Sequence, residues 1–271
     1  MKKIIYLDNN STTQVDQRVL DEMMPCFTEN FGNASSATHA MGWYAEELVD
    51  IARERIAKSI NAKPEEIFFT SGATEANNLA ISGYLKEENL NILFSATEHR
   101  SVIEPILNRS KKAKKLETEQ DGEVQVKTLR AEFEEDSKNL ICIGLANNEI
   151  GTINKIKELR EAGKEDDFFH CDATQALGKI PINVKDLNID SLSISAHKAH
   201  GPKGIGALYV KSKRIKEISA QIFGGGQEED LRSGTLNVPG IVGFGKAAEL
   251  ASEELIKNQK HLNNLTELFY S

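Results

Sequence analysis

The sequence predicts an α/β fold, a mainly parallel sheet flanked on both faces by helices. Three observations point there. Strand-length apolar runs alternate with helix-length amphipathic segments along the chain. Several of the runs are apolar at nearly every position, as strands covered on both faces require. Polar clusters follow directly after most of the runs, and open α/β sheets gather their ligands beyond the carboxyl ends of strands.

The elements follow in chain order. Residues 15–27 read as a helix, and so do residues 40–60, where Tyr44, Leu48, Ile51, Ala52 and Ile56 fall on one core-facing stripe. A strand at 66–70 runs into Ser71-Gly72-Ala73-Thr74-Glu75 and a helix at 74–85. A strand at 91–96 runs into Thr97-Glu98-His99 and a helix at 101–113. Lysines in 111–115 interrupt that helical stretch and read as a solvated face. A helix at 127–134 precedes a strand at 140–146, which ends at Asn147-Asn148-Glu149. A helix at 153–162 leads to a strand at 168–172, followed by Ala173-Thr174-Gln175. Strands at 191–195 and 207–210 bracket Ala196-His197-Lys198. The segment 228–230, after Gly224-Gly225-Gly226, suggests a flexible exposed loop. Past Pro239-Gly240 one long helical pattern runs to about Phe269 and needs something to pack against.

Composition narrows the class. The chain has 271 residues, 39% hydrophobic and 27% charged, an ordinary globular balance rather than that of a disordered chain. Net charge is −8 and no long basic block exists, so a general nucleic-acid footprint is not expected. No apolar run approaches the ~20 residues of a membrane helix, and Asp8 comes too early for a signal-peptide core. Cys26, Cys142 and Cys171 are an odd number without CxxC spacing, which speaks against a disulfide framework and a structural zinc site. A cytoplasmic protein without a metal centre is expected.

Lys198 is the residue on which the chemistry turns. A free lysine, with a pKa near about 10.4, is neutral only about once per 2,500 molecules at pH 7. Schiff-base chemistry needs the neutral amine, so burial or neighbouring cations must lower that pKa. Lys198 stands where a strand gives way to the Gly201-Pro202-Lys203-Gly204 turn. Pyridoxal phosphate needs an acid partner at its ring nitrogen, and Asp172 ends an apolar strand. Gln175, three residues on, is placed to reach the phenolic oxygen, and His99 can lie on the ring face. Ser71-Gly72-Ala73-Thr74 passes from strand to helix and offers free N–H groups, a favourable dipole and the Thr74 hydroxyl to a phosphate. Ser195 and His197 add donors. Gly201, Gly204 and Gly206 lack the dinucleotide spacing, so a nicotinamide cofactor is not expected. Taken singly, each residue has a blander reading: a surface lysine, a capping aspartate, an ordinary helix cap. Their company is what changes the odds.

These motifs, in order, carry a family resemblance. Ser71-Gly72-Ala73-Thr74-Glu75, Glu98-His99, Asn147-Asn148-Glu149-Ile150-Gly151, Asp172-Ala173-Thr174-Gln175, His197-Lys198 with Gly201-Pro202-Lys203-Gly204, and Arg232-Ser233-Gly234-Thr235-Leu236-Asn237-Val238-Pro239 resemble the NifS/IscS cysteine desulfurases. Tyr6-Leu7-Asp8-Asn9-Asn10-Ser11-Thr12-Thr13 and Phe31-Gly32-Asn33-Ala34-Ser35-Ser36 are similar too. The resemblance implies a fold-type I large domain of a pyridoxal-phosphate-dependent transferase, with aminotransferase class V relatives. It implies that Lys198 carries the cofactor, that Asp172 pairs with the ring nitrogen, and that Gln175 meets the phenolic oxygen. His99 stacks on the ring and takes part in proton transfer. Ala73, Thr74, Ser195 and His197 hold the phosphate, and Thr235 reaches the phosphate of the other subunit in a homodimer. Asn148 helps bind the carboxylate of L-cysteine, and a sulfur-acceptor protein such as an iron–sulfur scaffold takes the product sulfur.

The resemblance also divides the chain. Residues 1–14 correspond to the N-terminal segment of a small domain, 15–245 to the large domain, and 246–271 to the start of a connecting helix. The family's loop with its persulfide-forming cysteine, its carboxylate-clamping arginine and most of its small domain find no counterpart in the sequence, so a C-terminally truncated chain is expected. None of the three cysteines is placed to act instead: Cys142 and Cys171 lie in apolar strands, and Cys26 sits among Met24, Pro25 and Phe27. Gln227-Glu228-Glu229-Asp230 adds negative charge where the family has a His/Arg-rich loop. Two further readings stay open: a catalytically incomplete pyridoxal-phosphate-binding scaffold, or another class V activity such as selenocysteine lyase or aminotransferase.

Overall fold

The structure, a computed structural model, describes residues 5–85 and 90–271. Residues 1–4 of the expected N-terminal segment lie outside the described residues. In chain order the elements are α1 (Gln17–Met23), α2 (Pro25–Thr28), α3 (Ala40–Ser59), β1 (Ile67–Thr70), α4 (Ala73–Tyr84), β2 (Leu90–Ser95) and α5 (Arg100–Arg109). Then come β3 (Lys114–Leu116), α6 (Val126–Ala131), β4 (Lys138–Cys142), α7 (Ile156–Ala162), β5 (Phe168–Asp172), α8 (Val184–Leu187) and β6 (Ser191–Ser195). Last are β7 (Gly206–Val210), α9 (Val238–Glu253) and α10 (Leu255–Tyr270).

Among the described residues the strands form one sheet in the order β1-β7-β6-β5-β4-β2-β3. Pairs from β6 to β3 are parallel, and β7 runs against both β6 and β1. The carboxyl ends of β1, β2, β4, β5 and β6 therefore share one edge of the sheet. Side chains alternate across the sheet. Phe69, Ile141, Phe169, Leu192 and Ala207 face a core closed by α3, α7 and α9. Phe68, Phe94, Leu140, Phe168 and Leu208 face a second core closed by α4 and α5. Alternation thus sends His170 and Asp172 of β5 toward α4, while Cys171 joins the opposite core.

The structure departs from the sequence expectations in identifiable places. The 15–27 helix breaks at Met24, because Pro25 has no N–H to continue α1 and instead starts α2. The 101–113 helix ends at Arg109, and Lys114–Leu116 pairs with Leu93–Ser95 as an edge strand. Its lysines do face solvent, as edge strands often arrange. The long pattern after Pro239 splits at Glu254, and among α10 residues none is buried. The 228–230 segment is not free: Glu228 is buried, with its carboxylate gripped by Arg53 at 2.7 and 2.9 Å and by the Phe69 N–H at 2.6 Å. Among the described residues no helix is long and apolar enough to cross a membrane.

A candidate cofactor site at the strand ends

A cleft of about 770 Å³ opens at the shared edge of the sheet. Its walls follow from the chain path. β1 turns through Ser71-Gly72 into α4, so Ala73 and Thr74 present the first helical N–H groups to the cleft. The turn depends on two glycines. Gly72 has φ +154°, which side chains rarely adopt. A Cβ on Gly206, the first residue of β7, would stand 2.7 Å from Gly72 Cα and from the Ile194 carbonyl. Gly206 pairs with Thr70 and with Ser195, so the reversed strand is the floor on which both cradle segments rest.

Of the residues expected from sequence, Ala73, Thr74, His99, Asn148, Asp172, Gln175, Ser195, His197 and Lys198 all line this cleft. Thr235 does not; it is exposed, in the loop before α9. Asp172 ends β5, and Lys198 ends the short 3-10 turn that follows β6, so adjacent parallel strands deliver an acid and an amine to one cavity. Asp172 accepts from Asn77 Nδ2 at 2.8 Å and from the Thr174 N–H at 2.9 Å. Burial lowers the Lys198 pKa, opposed by the charges of Asp172 and Asp8. His197 is lowered by burial and by Lys198 and Lys203.

Several residues at the site were not singled out from sequence. The N-terminal segment crosses the cleft mouth, with Asp8, Asn10 and Ser11 in its lining. Lys198 Nζ donates to the carbonyls of Asn10 at 2.5 Å and Ser11 at 2.9 Å, and Gln175 Nε2 donates to Asn10 O at 2.8 Å. Behind Gln175, Lys179 is pushed down to about 8 by burial and by Lys198. Glu98, beside His99, is pushed up to about 8 by burial, against the Gly144 N–H that it accepts at 2.7 Å. Glu98 stood in a strand-end cluster, and Asp8, Asn10 and Ser11 in the N-terminal motif, whereas Lys179 carried no sequence signal.

The cleft fits pyridoxal phosphate in three respects. Thr174 Oγ1 is buried in its wall with no hydrogen-bond partner among the described residues, which is costly unless a ligand completes it. The Gly72 turn has no side-chain cap, leaving helix N–H groups for an anion. An amine, Lys198, and a carboxylate, Asp172, line the same cleft. All three cysteines are buried, and none lines the cleft. Burial raises the pKa of each.

The family description "Aminotransferase class-V" matches residues 5–271. The chain is 48% identical over 264 residues to the cysteine desulfurase IscS of Anaeromyxobacter sp. (strain Fw109-5), covering 94% of this chain and 64% of that protein. It is 44% identical over 276 residues to cysteine desulfurase IscS of Neisseria meningitidis serogroup C, covering 99% and 68%. Among solved structures it is similar to a NifS-like protein with TM-score 0.92 and 40% identity, covering 97% of this chain and 73% of that one. It is also similar to SspA in complex with cysteine, with TM-score 0.85 and 38% identity over 91% and 72%. The chain thus spans about two thirds of the length of the curated relatives it matches.

Proposed function

Since the chain belongs to the aminotransferase class-V family, we propose that it is a pyridoxal-phosphate-dependent cysteine desulfurase, converting L-cysteine to L-alanine and passing sulfur to an acceptor protein. One observation carries the reading: Lys198 and Asp172 enter a single cleft from the ends of adjacent parallel strands. Relatives named cysteine desulfurase, and a neighbour solved with cysteine, support the choice of substrate.

The residues divide the work as follows. Ala73 and Thr74, with Ser195 and His197, hold the phosphate at the N-terminus of α4, where N–H groups and the helix dipole favour an anion. Asp172 faces the ring nitrogen and Gln175 the phenolic oxygen. Bound there, pyridoxal phosphate supplies an electron sink that weakens the Cα–H bond of an amino acid. Lys198, its amine made less basic by burial, takes the Cα proton. His99 covers the ring and exchanges protons near the substrate sulfur, and Asn148 meets the substrate carboxylate. The sulfur-accepting thiolate is none of Cys26, Cys142 or Cys171, because each is buried away from the cleft.

Residues 15–245 form the cofactor-binding domain in this reading, with 1–14 as the N-terminal segment of a smaller domain and 246–271 as the start of the helix that connects to it. Thr235, exposed on its own chain, contacts the phosphate of a second copy in a homodimer. Three free thiols suit a reducing cytoplasm, and an iron–sulfur scaffold suits the acceptor.

Adding pyridoxal phosphate to the purified chain tests the reading. A visible absorbance band appears, borohydride fixes the cofactor to Lys198, and Lys198→Ala shows neither. A wild-type chain without that band overturns the cofactor assignment. Cofactor binding without any alanine formed from cysteine, even with a dithiol present as sulfur acceptor, leaves the chain a binding scaffold.

A further inference from the structure

Asn77 lies on α4 one turn beyond Ala73, between Ala76 and the apolar stretch that ends in Ile81, and it has no exposed surface. A buried amide must fill both its donor and acceptor positions. Its partners are Asp172 Oδ2 at 2.8 Å, Ser101 Oγ at 2.9 Å and His170 Nε2 at 2.9 Å.

The direction of every bond in this group follows from what each atom can do. A carboxylate oxygen only accepts, so the Asn77 atom facing Asp172 is the amide nitrogen. The amide oxygen then faces His170, and because it also only accepts, His170 Nε2 carries a hydrogen. Burial pushes His170 down to about 4, so the ring is neutral and its Nδ1 is bare. Ser191 Oγ, 2.8 Å away, donates to it. Toward the cleft the same logic continues. Ser101 Oγ accepts from Asn77, which leaves its hydrogen for His99 Nδ1 at 2.7 Å. The Ser101 N–H also donates to that nitrogen at 3.1 Å. Two donors aimed at Nδ1 place the His99 proton on Nε2, which no protein group among the described residues takes.

We propose that Asn77 is a positioning residue whose one amide ties the Asp172 carboxylate to the His99 ring, fixing Asp172 Oδ2 in place and, through Ser101, holding His99 as the Nε2–H tautomer. His170 is the buried donor that keeps the amide from turning over. The consequence for catalysis rests on the function proposed above: the proton His99 offers is on Nε2, and the residues assigned to the ring nitrogen and to the ring face of the cofactor are set by a single side chain. The tautomers themselves do not depend on that reading.

Long-range proton–nitrogen histidine spectra of the labelled full chain test this, with His99→Gln and His170→Gln to assign the signals. His99 and His170 both show the Nε2–H pattern in the wild type. Asn77→Leu, similar in volume, gives His170 a mixture of tautomers, moves the His99 Nδ1 signal, and weakens pyridoxal phosphate binding about tenfold or more, the loss expected for a hydrogen bond to a charged group. Ser101→Ala cuts only the outer link: the His99 signal moves and that of His170 does not, while Ser101→Thr keeps the wild-type pattern. This variant keeps the test decisive if Asn77→Leu does not fold. A wild-type His99 with its proton on Nδ1, or a His99 signal unmoved in Ser101→Ala, overturns the proposal. Absence of cofactor binding by the wild type defeats the functional reading alone, because the tautomer pattern is read without cofactor.

Discussion

Glu98 and Gly144 join the carboxyl ends of β2 and β4: the Gly144 N–H donates to Glu98 Oε1 at 2.7 Å, and a Cβ on Gly144 would stand 3.3 Å from Oε2. The bond closes the cleft wall behind His99. Burial nonetheless favours the neutral carboxyl, pushing Glu98 up to about 8. A carboxyl whose pKa is raised on folding binds its proton more tightly in the folded chain. Its stabilising contribution is therefore present at acid pH and is lost as pH rises from the ordinary carboxylate range through about 8. Denaturant melts of Glu98→Gln, run from pH 5 to pH 9 (about the span of the titration), show a flatter fall in stability than wild type. Parallel curves contradict the shift.

His170 works with the opposite sign. Burial lowers it to about 4, so folding favours the neutral ring. Its contribution is complete above the unfolded value of about 6.5 and is lost as pH falls through about 4. His170→Gln removes this acid-side loss, so its midpoint changes less than that of wild type between those limits. The variant is less stable overall, since Ser191 and Asn77 lose their partner.

Arg53 and Glu228 form a two-point ion pair whose acid is buried and also accepts the Phe69 N–H. Removing one partner of a buried pair leaves the other charge uncompensated, at a cost of about 3–5 kcal/mol. Because Arg53 keeps some contact with solvent, Glu228→Ala is expected near the lower limit, about 3 kcal/mol, measured as a shift in denaturation midpoint. Glu229→Ala, on the exposed neighbour, changes stability by less than about 0.5 kcal/mol.

Gly206→Ala places a methyl group against Gly72 Cα and the Ile194 carbonyl, both backbone. Overpacking of this kind costs about 1–3 kcal/mol. The strain falls on the Ser71–Thr74 turn, so affinity for inorganic phosphate or pyridoxal phosphate drops along with the melting temperature. A variant that melts lower yet binds phosphate as wild type does separates the floor from the cradle.

Much of this arrangement was legible in the sequence. Strands of five or so apolar residues, most of them ended by a polar cluster, predicted the sheet, and those clusters together with the family resemblance pointed to nine residues that line the cleft. What escaped was set by tertiary partners. β3 is three residues long and two of them are lysine; only pairing with β2 makes it a strand. The reversal of β7 leaves no mark on its own apolar pattern. Glu228 stands in a glycine-rich, acidic stretch that reads as solvent-exposed, and the Arg53 that buries it lies far away in sequence. Asn77 looks like one polar position on a helix until Asp172 and His170 arrive beside it. Thr235 illustrates the other limit, since the contact expected of it lies on a second molecule.

The place of β7 also bears on the order in which the protein is made. Thr70 lies against Gly206, so the turn after β1 leaves the ribosome long before the strand beneath it exists. Non-local pairings of this kind are slow to form and leave edges exposed meanwhile. The floor under the Ser71–Thr74 turn is accordingly complete only once translation has passed residue 210.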